Sequence, residues 1–175
     1  MKKQSILIGI IGVFLLMQLL GAQTWEKTKR LTWSPGYSNV PAIVVDHNNH
    51  IHVVWYDYIP NNCQVYYKRS TNGGITWGSK RLSWTPGDSK SPAIAADTSN
   101  NIHVVWSDST PSKTEIYYKK STNGGGTWGG VKRLTWNSGY SNYPIVAVSS
   151  NFTIHVVWAD NTPGNPEIYY RRGGQ

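Results

Sequence analysis

The tetrapeptide His-Val-Val-Trp occurs three times, at His52–Trp55, His103–Trp106 and His155–Trp158, at intervals of 51 and 52 residues. Arg-Leu-(Thr/Ser)-Trp recurs on the same period, beginning at Arg30, Arg81 and Arg133. All nine tryptophans fall on three repeat positions: Trp25, Trp77 and Trp128; Trp33, Trp84 and Trp136; Trp55, Trp106 and Trp158. A chain written this way folds as a row of equivalent units, each burying its apolar face against the next. The residue types decide what the unit contains. With 9 Trp and 11 Tyr against 2 Phe, and with 17 Gly, the chain is rich in aromatics that suit a pleated surface and in glycines that suit turns. Helical spacing is absent, so the fold class is all-β.

Each unit carries four strand signals bounded by Gly, Pro, Asn or Asp. In the second unit these are Pro92–Ala96, Ile102–Trp106, Glu115–Lys120 and Thr127–Trp136. Four antiparallel strands in one such unit is the arithmetic of a propeller blade, whose inner strands are covered on both faces. We therefore expect three four-stranded propeller-type blades: 41–84, 92–136 and a partial blade 144–172. They are preceded by a fourth-strand sequence, 24–33, within a repeat region spanning 23–175. That phase suits ring closure, in which one terminus completes the blade formed by the other. Propellers typically have about 4–8 blades, which leaves two readings. Either two chains associate head to tail as a homodimer with a six-bladed ring, or the sequence is a piece of a longer array.

The turn after the third strand is the most specific motif. It reads Ser-Thr-Asn-Gly-Gly-Ile-Thr-Trp from Ser70 to Trp77 and Ser-Thr-Asn-Gly-Gly-Gly-Thr-Trp from Ser121 to Trp128. Asn followed by two glycines supplies the positive φ of a tight hairpin, and the Trp can plug it from below. These segments resemble the Asp box of the sialidase-like propellers, the BNR repeats. Asn72 and Asn123 stand where that family has Asp, and Ser70, Gly73, Gly74, Trp77, Ser121, Gly124, Gly125 and Trp128 fill the other structural positions. The resemblance implies a sialidase-like β-propeller whose ligand face lies opposite these turns. That face would hold Trp33, Trp84 and Trp136 with their following loops, and Asp57, Asp108 and Asp160 at the ends of the second strands.

A sialidase of this family needs an arginine triad, an Asp acid/base and a Tyr-Glu nucleophile pair, contributed by different blades. Here the polar positions repeat instead of diverging, the family's Phe/Tyr-Arg-Ile-Pro motif is missing, and no catalytic residue is assigned. Repetition fits multivalent binding. Trp33, Trp84 and Trp136 offer flat faces to sugar C–H groups, and Arg30, Arg81 and Arg133 with Asp57, Asp108 and Asp160 offer hydrogen bonds. The same positions equally suit an architectural role. The expectation is a non-catalytic glycan- or protein-binding module or scaffold at the cell surface; the alternative is a partial or remnant exo-sialidase-like glycoside hydrolase.

His52, His103 and His155 lie one per unit inside a strand, too far apart to share an ion, so they are read as packed and hydrogen-bonded. No metal and no cofactor are expected. The basic pairs Lys68-Arg69, Lys119-Lys120 and Arg171-Arg172 follow tyrosine pairs, but their spacing favours a solvated edge or contact with an acidic glycan over a nucleic-acid partner. Cys63 aligns with Thr114 and Pro166 and is read as a loop residue; a single cysteine excludes an intrachain disulfide framework.

Residues 1–22 read as a signal peptide: Lys2-Lys3, an apolar run from Ile6 to Leu20, then Gly21-Ala22. The run is shorter than the roughly 20 residues that span a bilayer, with an uncleaved anchor as the alternative. Export is the expectation, as a secreted, periplasmic or cell-surface protein. The formal net charge of +8 becomes +6 when Lys2 and Lys3 are removed, which permits anionic partners without requiring them.

Overall fold

The computed structural model describes residues 24–110 and 112–174. Their regular structure is all strand: β1 (Ser38–Val45), β2 (Ile51–Ile59), β3 (Asn62–Ser70), β4 (Gly78–Arg81), β5 (Ser89–Ala96), β6 (Ile102–Asp108), β7 (Glu115–Ser121), β8 (Lys132–Arg133), β9 (Ser141–Val148), β10 (Ile154–Asp160) and β11 (Glu167–Gly173). They form three antiparallel sheets in sequence order: β1-β2-β3-β4, β5-β6-β7-β8 and β9-β10-β11. The signal-peptide segment lies outside the described residues. No described helix is long and apolar enough to cross a membrane.

Sheet stacking explains why Ile-His-Val-Val-Trp is apolar almost without a break. Side chains alternate along a strand, so Val104 and Val105 point to opposite faces. Val104, Ile94, Ile102 and Trp106 meet Val54, Val65, Tyr67 and Leu82 of the first sheet. Val105, Ile116 and Tyr118 meet Val146, Val156 and Trp158 of the third. Flanked on both sides, β6 is buried at every residue. Each second-strand Trp also lies over a Tyr directly across the ladder: Trp55 on Tyr66, Trp106 on Tyr117 and Trp158 on Tyr169.

The inner strands start about three residues earlier than their apolar runs suggest, because each begins before a bulge. The register slips between Asn39 and Ala42, between Lys90 and Ala93, and opposite Val157–Ala159. Val40, Ser91 and Tyr143 sit in these bulges at φ of 51°, 51° and 54°, each just before a proline. A bulge on an edge strand is where a sheet tolerates a residue without an N–H.

The outer strands are shorter than expected. β8 covers only Lys132–Arg133 of the anticipated 127–136, because the turn and Gly129-Gly130 take up the preceding residues. Residues 24–33 carry no strand. Cys63 is not a loop residue: it lies inside β3, fully buried, its N–H donating to Asp88 Oδ1 at 2.8 Å. The loop reading failed because the β2–β3 hairpin is extended by residues that its counterparts leave in a loop.

Candidate functional site

The Asn-Gly-Gly turns are braced by their own side chains. Ser70 Oγ accepts the N–H of Gly74 at 2.8 Å, and Asn72 Oδ1 accepts that of Thr76 at 2.9 Å. Ser121 and Asn123 repeat both bonds, to Gly125 at 2.8 Å and to Thr127 at 2.7 Å. Asn72 and Asn123 also donate through Nδ2 to the Thr76 and Thr127 hydroxyls, a bond that the amide can make and a carboxylate cannot. Gly73, Gly74, Gly124 and Gly125 all have positive φ. Trp77 closes its turn by donating to the Gly74 carbonyl, while Trp128 instead meets Tyr67 edge-on, 5.0 Å between centroids.

The tryptophans that end the Arg-Leu-(Thr/Ser)-Trp segments are exposed: Trp33 by 67%, Trp84 by 65% and Trp136 by 63%. Each ring nonetheless lies over a cation from a third strand. Lys68 Nζ is 5.2 Å from the Trp33 centroid, Lys119 Nζ 5.2 Å from Trp84, and Arg171 Cζ 5.7 Å from Trp136. Arg81 and Arg133 add a second cation to their own Trp at 5.6 Å. Those arginines are fixed by Nε bonds at 2.6 Å to the carbonyls of Ser83 and Thr135, and Arg30 makes the same bond to Thr32. Lys119 is itself buried. It donates to the Leu82 carbonyl at 3.1 Å, and burial pulls its ammonium below the usual lysine value. The first residue of each basic pair therefore turns under a tryptophan instead of forming a solvated edge. Period-2 alternation sends the second residue to the other face, where Arg69 reaches the Gly124 carbonyl of the next sheet at 2.6 Å.

Asp57, Asp108 and Asp160 are buried and turned inward. Asp57 Oδ1 accepts from Trp55 Nε1 at 2.8 Å. Asp108 accepts Ser89 Oγ at 2.6 Å and Thr85 Oγ1 at 2.8 Å. Asp160 accepts Ser141 Oγ and Asn137 Nδ2, both at 2.6 Å. Burial opposes ionisation of Asp160, but hydrogen bonds from Ser141, Thr162 and Asn137 outweigh it and hold the carboxyl down at about 2. Thr85 and Asn137 directly follow Trp84 and Trp136, so Asp108 and Asp160 anchor the chain beside each ring while their own oxygens stay covered.

Most remaining acids are also engaged within the chain. Glu115 takes Arg133 Nη2 at 2.7 Å and the Thr135 hydroxyl. Asp88 takes Lys90. Asp46 and Asp97 are buried and accept two backbone N–H groups each, from Asn48 and His50 and from Ser99 and Asn101. Of nine acids in all, six are thus buried and bonded. Three remain, Glu26, Asp88 and Glu167, of which Asp88 is paired with Lys90.

The fold also holds a buried Asp–His–Tyr strut that the repeated motifs do not reveal. His52 lies between Asp46 Oδ2 at 3.1 Å and Tyr67 Oη at 2.7 Å; His103 lies between Asp97 Oδ2 at 3.3 Å and Tyr118 Oη at 2.8 Å. The carboxylate accepts from Nε2–H, so Nδ1 accepts from the phenol. Burial lowers both imidazoles below the ordinary histidine value and raises the Tyr118 phenol to about 12. His155 keeps its tyrosine, Tyr170, at 2.9 Å, but Ser149 replaces the aspartate. The regular His-Tyr spacing of 15 residues was the available signal. His50 joins Asp46 and His52 in a set of metal-ligand types within 4.8 Å. In the second unit Asn101 occupies the place of His50 and donates to Asp97 Oδ2 at 2.6 Å, so the shared role of that position is hydrogen bonding.

No protein-family model matches the sequence, and no curated protein matches it. Solved structures do. A protein of unknown function from Dyadobacter fermentans is 14% identical with a TM-score of 0.62, over 80% of this chain and 52% of its own. Penicillium chrysogenum α-L-arabinanase complexed with arabinobiose is 13% identical, TM-score 0.62, over 76% and 45%. Trypanosoma rangeli sialidase in complex with sialic acid is 13% identical, TM-score 0.56, over 79% and 28%. The fold is propeller-like. This chain spans about half or less of the length of these structures, and identities this low carry the architecture alone.

Proposed function

We propose that this chain is an exported, non-catalytic propeller-type module that binds glycans on its row of tryptophan ledges. The observation that carries the reading is the repetition of a two-thirds exposed indole, fixed over a cation of the adjacent sheet and followed by a loop tied to a buried aspartate. An exposed indole with a guanidinium stacked against it suits sugar C–H groups and hydroxyls, and the positive charge favours an acidic glycan. Equivalent weak sites at fixed spacing gain by avidity. The non-catalytic part is supported by the engagement of the acids, since glycoside hydrolysis needs two carboxylates across one substrate. Asp108 and Asp160 are assigned to holding the ledge loops, and Asp57 to holding the Trp55 indole and the Ser38 hydroxyl.

A glycan array followed by calorimetry tests this. Wild-type protein should bind an acidic glycan, Trp84→Ala and Trp136→Ala should each weaken binding, and the double variant should weaken it further than either. Unchanged binding in the double variant refutes the ledges. Hydrolysis of a fluorogenic sialoside or of an arabinan by the wild type would favour the alternative, a partial glycoside hydrolase, which the names of the structural neighbours suggest.

A further inference from the structure

Among the described residues no further sheet lies beyond the first or the third, and the faces of these two sheets match each other as those of the internal seams do. At the third sheet, β11 is an edge strand, and Ile168 and Tyr170 are 77% and 57% exposed. Their counterparts Ile116 and Tyr118 in the second sheet, and Val65 and Tyr67 in the first, are buried in inter-sheet seams. At the first sheet, Ile43 is 66% exposed, whereas its counterparts Ile94 and Val146 are buried. Trp33 already rests on Lys68 as Trp84 rests on Lys119 and Trp136 on Arg171. It occupies the place of a residue that ends the fourth strand of a preceding blade.

We propose that a second copy of this chain docks head to tail, so that residues 24–33 of each copy complete the third sheet of the other. The two copies would close a six-bladed ring. The occupant follows from continuity with the existing seams. Pairing of β7 with β8 sets Tyr117 opposite Arg133 and brings Arg133 and Thr135 onto Glu115. The same register sets Arg30 and Thr32 of one copy against Glu167 of the other. Glu167 is exposed, and it is the one acid of β11 that this register sets against Arg30. Length agrees as well, because two copies supply about the length of the arabinanase that one copy half covers. Two heterologous contacts related by a two-fold axis close a ring and leave no open edge. The inference does not depend on the glycan reading.

The seam also predicts where the first Asn-Gly-Gly turn sits. A Cβ on Gly125 would fall 1.7 Å from Tyr67 Oη, so the second turn is seated on the tyrosine of the preceding sheet. A Cβ on Gly74 would lie 3.7 Å from the ring of its own Trp77. In the ring, Gly74 would face Tyr170 of the second copy.

Light scattering after size exclusion, on the chain beginning at Gln23, should give a discrete two-copy mass across micromolar concentrations. A monomer over that range overturns the proposal, and an open-ended series of oligomers overturns the closed ring. Gly74→Ala should convert the dimer to a monomer with unchanged circular dichroism; a retained dimer contradicts the seam. Glu167→Arg and Arg30→Glu should each weaken dimerisation on the order of a hundredfold, as an unpaired charge in a buried contact does. The double variant should recover it, and failure of that rescue refutes the register.

Discussion

Replacing Trp84 by alanine separates a ledge from a core residue. A buried Trp→Ala change costs about 3–5 kcal/mol. Trp84 keeps 65% of its surface in water, so only about a third of that transfer term, ~1 kcal/mol, is at stake. The Lys119 ammonium 5.2 Å from the ring is buried, and a cation–π contact of that kind contributes another ~1 kcal/mol. The expected loss is ~2 kcal/mol in urea unfolding with an unchanged slope. Trp106→Ala, at a fully buried position between two sheets, should cost about 3–5 kcal/mol. A double-mutant cycle with Lys119→Met isolates the contact and should return a coupling of about 1 kcal/mol. If Trp84→Ala costs as much as Trp106→Ala, the ring is core and the ledge is misread. If the coupling is within about 0.3 kcal/mol of zero, the cation does not hold the ring.

Acid should weaken the fold in two stages. His52 and His103 are held below their ordinary value by burial, so the unfolded chain takes up protons that the folded chain refuses, and stability falls as pH drops through about 6.5. Asp160, held at about 2, keeps its charge in the fold and loses roughly 2 kcal/mol of stabilisation as pH falls from about 4 toward 2. Urea midpoints that stay flat between pH 7 and 5.5 would refute the first stage. In the second turn, Gly124→Ala should cost only the strain of positive φ, about 1 kcal/mol. Gly125→Ala must displace the Tyr67 hydroxyl from His52 and should cost several times more; equal costs would mean that this turn is not seated on the first sheet.

Repeat spacing and the alternation of apolar residues were enough to read the all-β class, the three units and the Asn-Gly-Gly hairpins. Those depend on local chemistry: the period of a strand and the φ that only certain residues adopt. The sequence also marked Trp33, Trp84 and Trp136 as equivalent, but it could not say whether they point into a seam or out of it. That choice came from Lys68, Lys119 and Arg171, residues of other strands that occupy the space beneath each ring. Asp57, Asp108 and Asp160 looked the same in sequence as a ligand set would, and only the fold engages them within the chain, Asp108 and Asp160 with the loop that approaches each and Asp57 with Trp55 and Ser38. Gly74 and Gly125 occupy the same position of one motif at nearly the same φ, 86° and 82°. Local sequence fixes that backbone angle, whereas contact with Tyr67 is a property of the sheet that lies alongside, and so only the tertiary structure distinguishes the two glycines.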